Sequence, residues 1–560
     1  MNALSLFTAL VALHGPAHQN NLSIDVYRVN PSGRVLVKNG ESLTGEVQFR
    51  AIVQTEHPIQ AVEFYVGDDL RESDGSTPYE FKLDTLAEED GPIKIRFKAF
   101  TTEGQNTEKV LTLKVDNGVS LGAEAHIKKG NEFFSNGQYD EAIREGRIAQ
   151  KADKDSLGAR LLLAHANFAK GVLDKAQKFA EDALDLDKNN REAKEVIISI
   201  KVKQAFNAVS RSADDRKDVL ESIKNGLSEA VTLRTTLLNE IVDNSKADKT
   251  SLEYLDAAIR ARRYSLVIEA LEPVLRGDFK NNDLNDRLAF AYLMTNQISK
   301  ADDLLRSVKK FGEFDAYGFA LSAIVETARG NDSGADDRIK EALLNTPDSL
   351  GLKTAQAFIA LKRDNPRALS DAASSLIREN DSRPETYYFA AALSNHLKNI
   401  EKGRQYFEKA LAADAADHDM YIEQGNEAIS LSLMTGVSSR DQDFQLEYAR
   451  VMYDLALQCR GNSAQALSGV AISALFQKKG DEALRYAEAA TKAAPDYAAA
   501  WYTYAAALSY KRMDARAALK KAQDLDPRNL EGRSMPDSNL VFKYFNTTGR
   551  TPVLSPPAKG

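Results

Sequence analysis

Seven histidines are the side chains of this chain best suited to proton transfer or metal ligation. A metalloprotease would carry two of them in the order His-Glu-x-x-His, because one helix face must present both imidazoles to a single zinc ion. No histidine here follows that order, so the sequence predicts no metal site. The seven are His14, His18, His57, His126, His165, His396 and His418.

Motifs for other chemistries are missing as well. The chain has no Gly-x-x-x-x-Gly-Lys-Ser/Thr phosphate loop and no Gly-x-Gly-x-x-Gly dinucleotide turn. Its single cysteine, Cys459, cannot form an internal disulfide, and such a residue is more often a small buried apolar group than a nucleophile. Acidic pairs such as Glu88-Glu89 and Asp336-Asp337 are typical of solvated faces in a chain that is 28% charged. We therefore predict neither an enzyme nor a cofactor.

The bulk composition narrows the class of partner. A net charge of −8, with acidic and basic residues intermixed, gives no field that would gather nucleic acid or anionic lipid. No stretch approaches the roughly eighteen apolar residues that a membrane helix needs. Because the 560 residues exceed the roughly 250 to 300 that one hydrophobic core supports, more than one folded unit is expected.

The first seventeen residues have the pattern of an export signal. An apolar run from Ala3 to Leu13 precedes Gly15 and Ala17, which supply small residues at the two positions that a signal peptidase reads. No Lys or Arg precedes the run, which departs from the type, and an apolar tail or a strand of the next domain is the alternative. The pattern favours a signal peptide at 1–17 and a periplasmic or secreted protein of the bacterial cell envelope.

Residues 18–118 are predicted to form a β-sandwich of roughly seven strands. Apolar residues alternate with polar ones in several short runs, for example at Val62, Phe64 and Val66, and turn residues separate the runs. The segment resembles the bacterial immunoglobulin-like domains, in its phrases Val62–Gly67, Pro78–Phe81 and Val115–Asn117. That resemblance implies a spacer or adhesion module in an exported protein.

Four acidic residues of this segment fall in one predicted inter-strand loop. They lack the order Asp-x-Asp-x-Asp-Gly of a calcium loop, so a solvated loop is favoured over a metal site. The residues are Asp68, Asp69, Glu72 and Asp74.

From residue 119 the hydrophobic period becomes that of helices, and equivalent positions recur every 34 residues. Small or apolar residues are expected at these positions because the two helices of a repeat cross closely there. The recurring positions are Ala142 and Ala176, then Val267, Ala301, Ala335, Leu369 and Gly403, then Ala449 and Ala483.

This stretch, 119–530, resembles the tetratricopeptide-repeat family, most strongly at 123–190 and 463–529. The resemblance implies an all-α superhelical solenoid. Three departures interrupt the register: longer helices without the repeat signature at 191–250, an inserted loop at 434–443, and a spacing of 32 residues instead of 34 from Ala483 to Ala515. The tail 531–560 carries Pro552, Pro556 and Pro557, and we expect it to be disordered or loosely docked.

Repeats of this family hold a peptide or a partner's helix in a groove lined by the first helix of each repeat, so binding is the function that the resemblance implies. For any single aromatic, packing on a neighbouring helix is the competing interpretation. A carboxylate clamp is not expected, because Ile127 and Leu162 stand where such a clamp needs Lys and Asn. The candidate groove residues are Ile127, Asn131, Phe134, Tyr388, Asn395, Tyr502 and Tyr510.

The sequence therefore predicts a multidomain protein, with an immunoglobulin-like sandwich followed by a repeat solenoid, that acts as a non-catalytic scaffold for another protein or a peptide. Two alternatives remain open. One is a carbohydrate-binding or adhesion protein whose sandwich contacts glycan, and the other is an accessory subunit of a secreted hydrolase.

Overall fold

A computed structural model describes residues 22–526, except 32, 212–215, 245, 296, 313, 348, 364, 379–386, 388–389, 392, 395–396, 398 and 434–435. The predicted export signal and the predicted C-terminal tail both lie outside the described residues. The chain divides into two compact units, Met1–Lys170 and Gly171–Gly560. Each is considered by itself.

The described part of the first unit contains two sheets whose strands are mostly antiparallel. One has the strand order β2-β1-β4-β7, and the other has the order β3-β9-β8-β5-β6, in which β3 runs parallel to β9. The strands are β1 (Ser23–Asn30), β2 (Gly33–Leu36), β3 (Ser42–Leu43), β4 (Glu46–Gln54), β5 (Ile59–Val66), β6 (Asp69–Asp74), β7 (Tyr79–Asp84), β8 (Gly91–Thr101) and β9 (Asn106–Val115).

The predicted alternation forms the core of this sandwich. Every second residue of β4, β5, β7 and β8 points inward, and four phenylalanines from these strands meet at the centre. Their ring centroids lie 4.9 to 6.0 Å apart, within the usual range for packed aromatic pairs. The four are Phe49, Phe64, Phe81 and Phe97, and each is fully buried.

The sandwich has more strands than the roughly seven that alternation predicts. The acidic segment expected to be a loop is largely strand β6, and only Asp68 stays outside it, beside Gly67, whose φ is 61°. Strands β2 and β6 lie at sheet edges and are exposed along nearly their whole length. An edge strand with no buried face has no reason to alternate, so hydrophobic periodicity cannot detect it.

In the described part of the first unit, three α-helices follow the sandwich: α1 (Ala123–Ser135), α2 (Tyr139–Ala152) and α3 (Leu157–Lys170). Glu145 of α2 is buried and accepts from His126 Nδ1 at 2.6 Å and Lys129 Nζ at 2.8 Å. Burial alone would raise the pKa of Glu145, but these two partners outweigh it and lower the pKa. Arg147 pairs with Asp84 at 2.6 Å, so α2 is tied to the end of strand β7.

Helices make up the described part of the second unit. They are α4 (Leu173–Leu186), α5 (Arg191–Arg211), α6 (Arg216–Val242), α7 (Leu252–Arg260), α8 (Tyr264–Leu271), α9 (Asn282–Met294), α10 (Ile298–Phe311), α11 (Ala316–Ala328), α12 (Asp332–Asn345), α13 (Leu350–Lys362), α14 (Pro366–Arg378), α15 (Ile400–Ala413), α16 (His418–Ser432), α17 (Ser439–Cys459), α18 (Ala464–Phe476), α19 (Gly480–Ala493), α20 (Ala498–Tyr510) and α21 (Arg516–Leu525).

The positions spaced by 34 residues lie in the second helices of successive repeats, and each of them is buried. Ala301, Ala335 and Ala483, for example, are fully buried where the paired helix crosses. A larger side chain at such a crossing would push the helices apart, which explains why most of these positions hold Ala or Gly.

The long helices α5 and α6 pack on elements far along the chain. Helix α5 packs against α15, where Lys203 Nζ lies 2.5 Å from Glu408 Oε1, and α6 packs against α17, where Ser228 Oγ donates to Gln458 Oε1 at 2.9 Å. In a simple solenoid each repeat contacts only its neighbours. In this unit the helices on the two sides of α7–α14 therefore contact each other directly, through residues more than 200 positions apart in the sequence.

The extra residues before α17 differ from the predicted loop at 434–443. Residues from Ser439 onward are helical, and Ser438 caps the helix by accepting from Asp441 N at 3.1 Å. The insertion therefore lengthens α17 to 21 residues, because a Ser-x-x-Asp cap lets the helix start early.

Candidate functional site

The predicted groove residues of α1 divide into two kinds. Ile127 and Asn131 line an open depression together with Glu124, Lys128 and neighbouring residues of the same helix. Phe134 instead packs its ring against Tyr139 and His165, at centroid distances of 5.6 and 6.2 Å. The structure thus brings Ile127 and Asn131 to one surface and places Phe134 partly in the packing between helices.

The other predicted groove residues lie in the second unit. Tyr388 and Asn395 lie outside the described residues. Tyr502 is half-buried, whereas Tyr510 is 48% exposed and its ring lies over the backbone of Gly480. A Cβ at Gly480 would come within 2.8 Å of that ring, so Tyr510 makes a close helix contact with a position that needs glycine.

Several first helices of the second unit are buried on every face. Residues Tyr254–Arg260 of α7 and Asn285–Leu293 of α9 are all buried, and each run covers about two helical turns. Most of α18 is buried in the same way. An open groove cannot run along these helices, so the expectation that first helices line it does not hold here.

Buried charged side chains lie within the largely apolar interior that these helices share. Arg287 of α9 is fully buried and makes a two-pronged ion pair with Asp256 of α7, at 2.7 and 3.0 Å. A guanidinium and a carboxylate match in this geometry, but burial outweighs the pairing and raises the pKa of Asp256.

A second group of buried charges joins helices that are distant in sequence. Arg234 of α6 pairs with Glu195 of α5 at 2.5 Å and lies 3.8 Å from Asp414, in the turn between α15 and α16. Asp414 also accepts from Arg260, at the end of α7, at 3.0 Å. We call these residues, with Arg262, His418, Asp419 and Ser463, the closure cluster.

The closure cluster continues into one ion pair and two hydrogen bonds at the start of α16. Arg262 Nη2 lies 2.8 Å from Asp419 Oδ2, His418 Nδ1 lies 2.9 Å from Asp419 Oδ1, and His418 Nε2 lies 2.7 Å from Ser463 Oγ. A neutral imidazole fits this order: Nδ1–H donates to the carboxylate, and Nε2 accepts from the hydroxyl. Burial lowers the pKa of His418 to about 4, which keeps the ring neutral.

The order Ser463, His418, Asp419 is that of a nucleophile, a base and an orienting carboxylate. Here these three residues contribute to packing between helices. Ser463 is 1% exposed and His418 is fully buried, so a substrate has no access to the hydroxyl. Ser463 Oγ also accepts from Ala466 N at 3.2 Å, which makes it the N-cap of α18.

Arg262 occupies an unusual backbone position. Its φ is 58°, in the turn between the two helices of a repeat. The same turn elsewhere uses Gly137, Gly171 and Gly330, with φ between 74° and 84°. A non-glycine residue is strained there, and the buried ion pair with Asp419 compensates for that strain.

None of the closure cluster was proposed from the sequence. The signal available was an arginine standing 68 residues before Gly330, at the glycine position of a repeat turn. What the sequence did not reveal was its partner, because Asp419 is brought to it only by the return of the chain onto itself.

Two further properties of the described residues bear on function. No group of three or more His, Cys, Asp or Glu side chains within them is arranged to hold a metal ion. Among the helices that the structure describes, none combines the length and the apolar character needed to cross a membrane.

The fold defines the class: an immunoglobulin-like β-sandwich followed by an α-helical repeat solenoid. The family model of the bacterial Ig domain matches residues 38–112, and that of the tetratricopeptide repeat matches residues 384–417, nine of which lie outside the described residues. The chain thus carries a bacterial Ig domain and tetratricopeptide repeats. A search of curated proteins finds no match.

Solved structures overlap with parts of the chain. The crystal structure of the APC/C hetero-tetramer Cut9-Hcn1 is 12% identical, with 77% of this chain and 90% of that chain covered and a TM-score of 0.41. Yeast Tom70 is 14% identical, with coverage of 76% and 95% and a TM-score of 0.34. A fibronectin(III)-like module of Clostridium thermocellum CbhA is 27% identical over 16% of this chain and 93% of its own, with a TM-score of 0.14. At these TM-scores the overlaps indicate neither a shared partner nor a shared activity.

Proposed function

We propose that this protein is a non-catalytic scaffold of the bacterial cell envelope or exterior that binds another protein or a peptide through its helical array. The observation that carries the proposal is the repeat array itself, since tetratricopeptide repeats build extended surfaces that bind proteins. The closure cluster adds support, because the residues best arranged for catalysis are sealed inside the packing.

The export part of the proposal is supported by the pattern at 1–17 and by the bacterial Ig domain that follows it. Fractionation of the native host tests this directly. Loss of the first residues, read by N-terminal sequencing of periplasmic or medium fractions, is the expected result. An uncleaved chain confined to the cytoplasm would overturn the location and leave the scaffold to be judged separately.

Binding is tested by crosslinking the full chain in its own cells and identifying crosslinked peptides by mass spectrometry. We expect crosslinks from the helical array to a second protein. Crosslinks that stay within the chain at every concentration of crosslinker would argue against a scaffold.

Glycan binding by the sandwich is the weaker candidate. A sugar-binding face needs an open aromatic ring, and Tyr65 on β5 would be a natural platform. The Arg96 guanidinium lies over that ring, 4.3 Å from its centroid, and the tyrosine hydroxyl is hydrogen-bonded to Glu63. The ring is therefore already occupied by a neighbour.

A further inference from the structure

A groove on the surface of the second unit combines an apolar floor with basic rims. It lies between α12 and α14, the second helices of two consecutive repeats, and α13 contributes part of its base. The depression has a volume of about 520 Å³, and a second depression of about 640 Å³ continues from it toward α15 through Asp371 and Arg378. We call the two together the α12–α15 groove.

Small and aliphatic residues form the floor. Ile339, Ile359 and Ala372 are buried beneath the surface, while Ala368 is exposed within the depression. Because alanine leaves room above the helix, the groove can admit side chains of another segment. Apolar surface of this kind favours a partner that brings its own aliphatic groups.

The charge along the groove is opposite to that of the protein as a whole. Five basic and two acidic side chains line the two depressions, in a chain whose net charge is −8. The basic residues are Lys340, Lys353, Arg363, Arg378 and Lys402, and the acidic ones are Asp336 and Asp371.

One of these cations is already neutralised. Arg363 pairs with Asp336 at 2.8 Å and with Asp332 at 3.3 Å. Within the part of the chain that the structure describes, no carboxylate pairs with Lys340, Arg378 or Lys402, and all three are exposed. These three cations are spaced along the groove and, among the described residues, remain available to a partner.

Exposed aliphatic residues continue the surface beyond the floor. Leu344 is 85% exposed and stands one helical turn after Lys340 on α12, so the two share a face. Ile377 is 37% exposed and lines the second depression. Alternating cationic and aliphatic groups fit a segment that alternates carboxylates and aliphatic side chains.

We propose that the α12–α15 groove binds an acidic, aliphatic segment of a partner protein. This inference rests on the proposed scaffold function and names one binding surface and the chemistry of its partner. The groove lies on second helices of the repeats. Several first helices of the unit are buried on every face and have no exposed surface that a partner could contact.

The test is a fluorescence anisotropy titration of the full chain with a labelled helical peptide in which Glu and Leu alternate at helical spacing. We expect saturable binding that weakens as salt is raised. A peptide with Lys in place of Glu should bind at least about tenfold more weakly. Equal binding of the two peptides, or tighter binding of a single-stranded oligonucleotide, would overturn the proposal.

Variants locate the site. The double substitution Lys340→Glu and Arg378→Glu should weaken binding of the acidic peptide by about tenfold or more. The matched control, Lys178→Glu with Lys520→Glu, changes the net charge equally on exposed positions of α4 and α21 and should bind as the wild type does. Loss of binding in the control as well would show a non-specific charge effect and would contradict the proposal.

A steric variant tests the floor without changing charge. Ala368→Trp fills the groove from an exposed position, so the fold should persist, as circular dichroism would check, while peptide binding falls by about tenfold. If the groove variants crosslink the native partner as the wild type does, the groove inference fails and the scaffold stands. If crosslinking finds no partner, the scaffold fails and the peptide titration still decides whether the groove binds.

Discussion

The imidazole of His418 is buried between Asp419 and Ser463, with Arg262 close by and Arg460 contributing a further positive field. Burial lowers the pKa of this ring to about 4, whereas an unfolded histidine titrates near pH 6.5. Between those values the unfolded state binds the proton and the folded state does not. The free energy of unfolding should therefore fall as the pH drops from about 6.5 toward 4, by up to about 3 kcal/mol.

Chemical denaturation at a series of pH values measures this effect. His418→Gln, which cannot titrate, should lower stability at neutral pH and flatten its dependence on pH in the same window. His57→Gln, in the sandwich and partly exposed, is the matched control and should keep the wild-type slope. A wild-type slope in His418→Gln would mean that other groups cause the acid sensitivity.

Arg262 combines a strained backbone with a buried charge, and the two effects can be separated. Arg262→Ala leaves Asp419 buried without its guanidinium and should cost about 3 to 5 kcal/mol. Arg262→Gly loses the same ion pair but relieves the positive φ, so it should be less damaging than alanine by about 1 kcal/mol.

Lys478 is the control for this comparison. It has the same φ region, at 61°, but its side chain is exposed. Lys478→Gly should therefore be neutral or stabilising by up to about 1 kcal/mol, as thermal unfolding would measure. A large loss of stability in Lys478→Gly would contradict the account of Arg262.

At the scale of secondary-structure elements, Tyr453 sets how closely α17 packs against its neighbours α16 and α18. Its ring is 1% exposed, and its hydroxyl donates to Asn426 at 2.8 Å. A Cβ at Gly425 of α16 or at Gly469 of α18 would lie 2.4 to 2.5 Å from the ring. Both helices thus need glycine where they face this tyrosine.

Gly469→Ala should destabilise the array by about 2 to 4 kcal/mol, because a buried ring cannot swing away and overpacking strains its neighbours. Gly461→Ala is the matched control, since a Cβ there meets no atom within 4 Å. Denaturation of both variants in parallel measures the difference. Equal stability of the two would show that α16 and α18 can move apart at little cost.

At the scale of helices and strands, the sequence predicts the features that depend on local residue spacing. Positions such as Ala335 and Ala483 recur at a fixed interval because every repeat crosses its helices at the same point. Hydrophobic periodicity does not predict edge strand β6, because that strand has no buried face. The sequence also predicts a loop just before α17, where the structure has a helix that begins at the cap residue Ser438. The groove residues that periodicity suggested include Phe134 and Tyr510, whose rings pack on neighbouring residues.

Within the second unit, the contacts that could not be predicted are those of the longest range. Glu195 and Arg234 stand on the irregular helices, and Asp414 lies about 180 residues further on. No repeat period relates them, because α5 and α6 do not follow the 34-residue spacing. Their meeting depends on the path of every intervening repeat, which a single sequence does not specify.

The packing of α5 and α6 on α15 and α17 should make unfolding of the second unit more cooperative. A linear repeat array can fray from its ends, because each repeat contacts only its neighbours. In this unit α5 and α6 pack on α15 and α17, so the intervening helices should unfold together with both partners.

Arg234→Met removes the central cation while keeping much of its volume, and it leaves Glu195 and Asp414 buried without it. Hydrogen exchange should then accelerate in α5 and in residues 410–420 alike. Lys224→Met, on an exposed face of the same helix, should leave both segments protected. Faster exchange in α5 alone would show that the two ends of the array open independently.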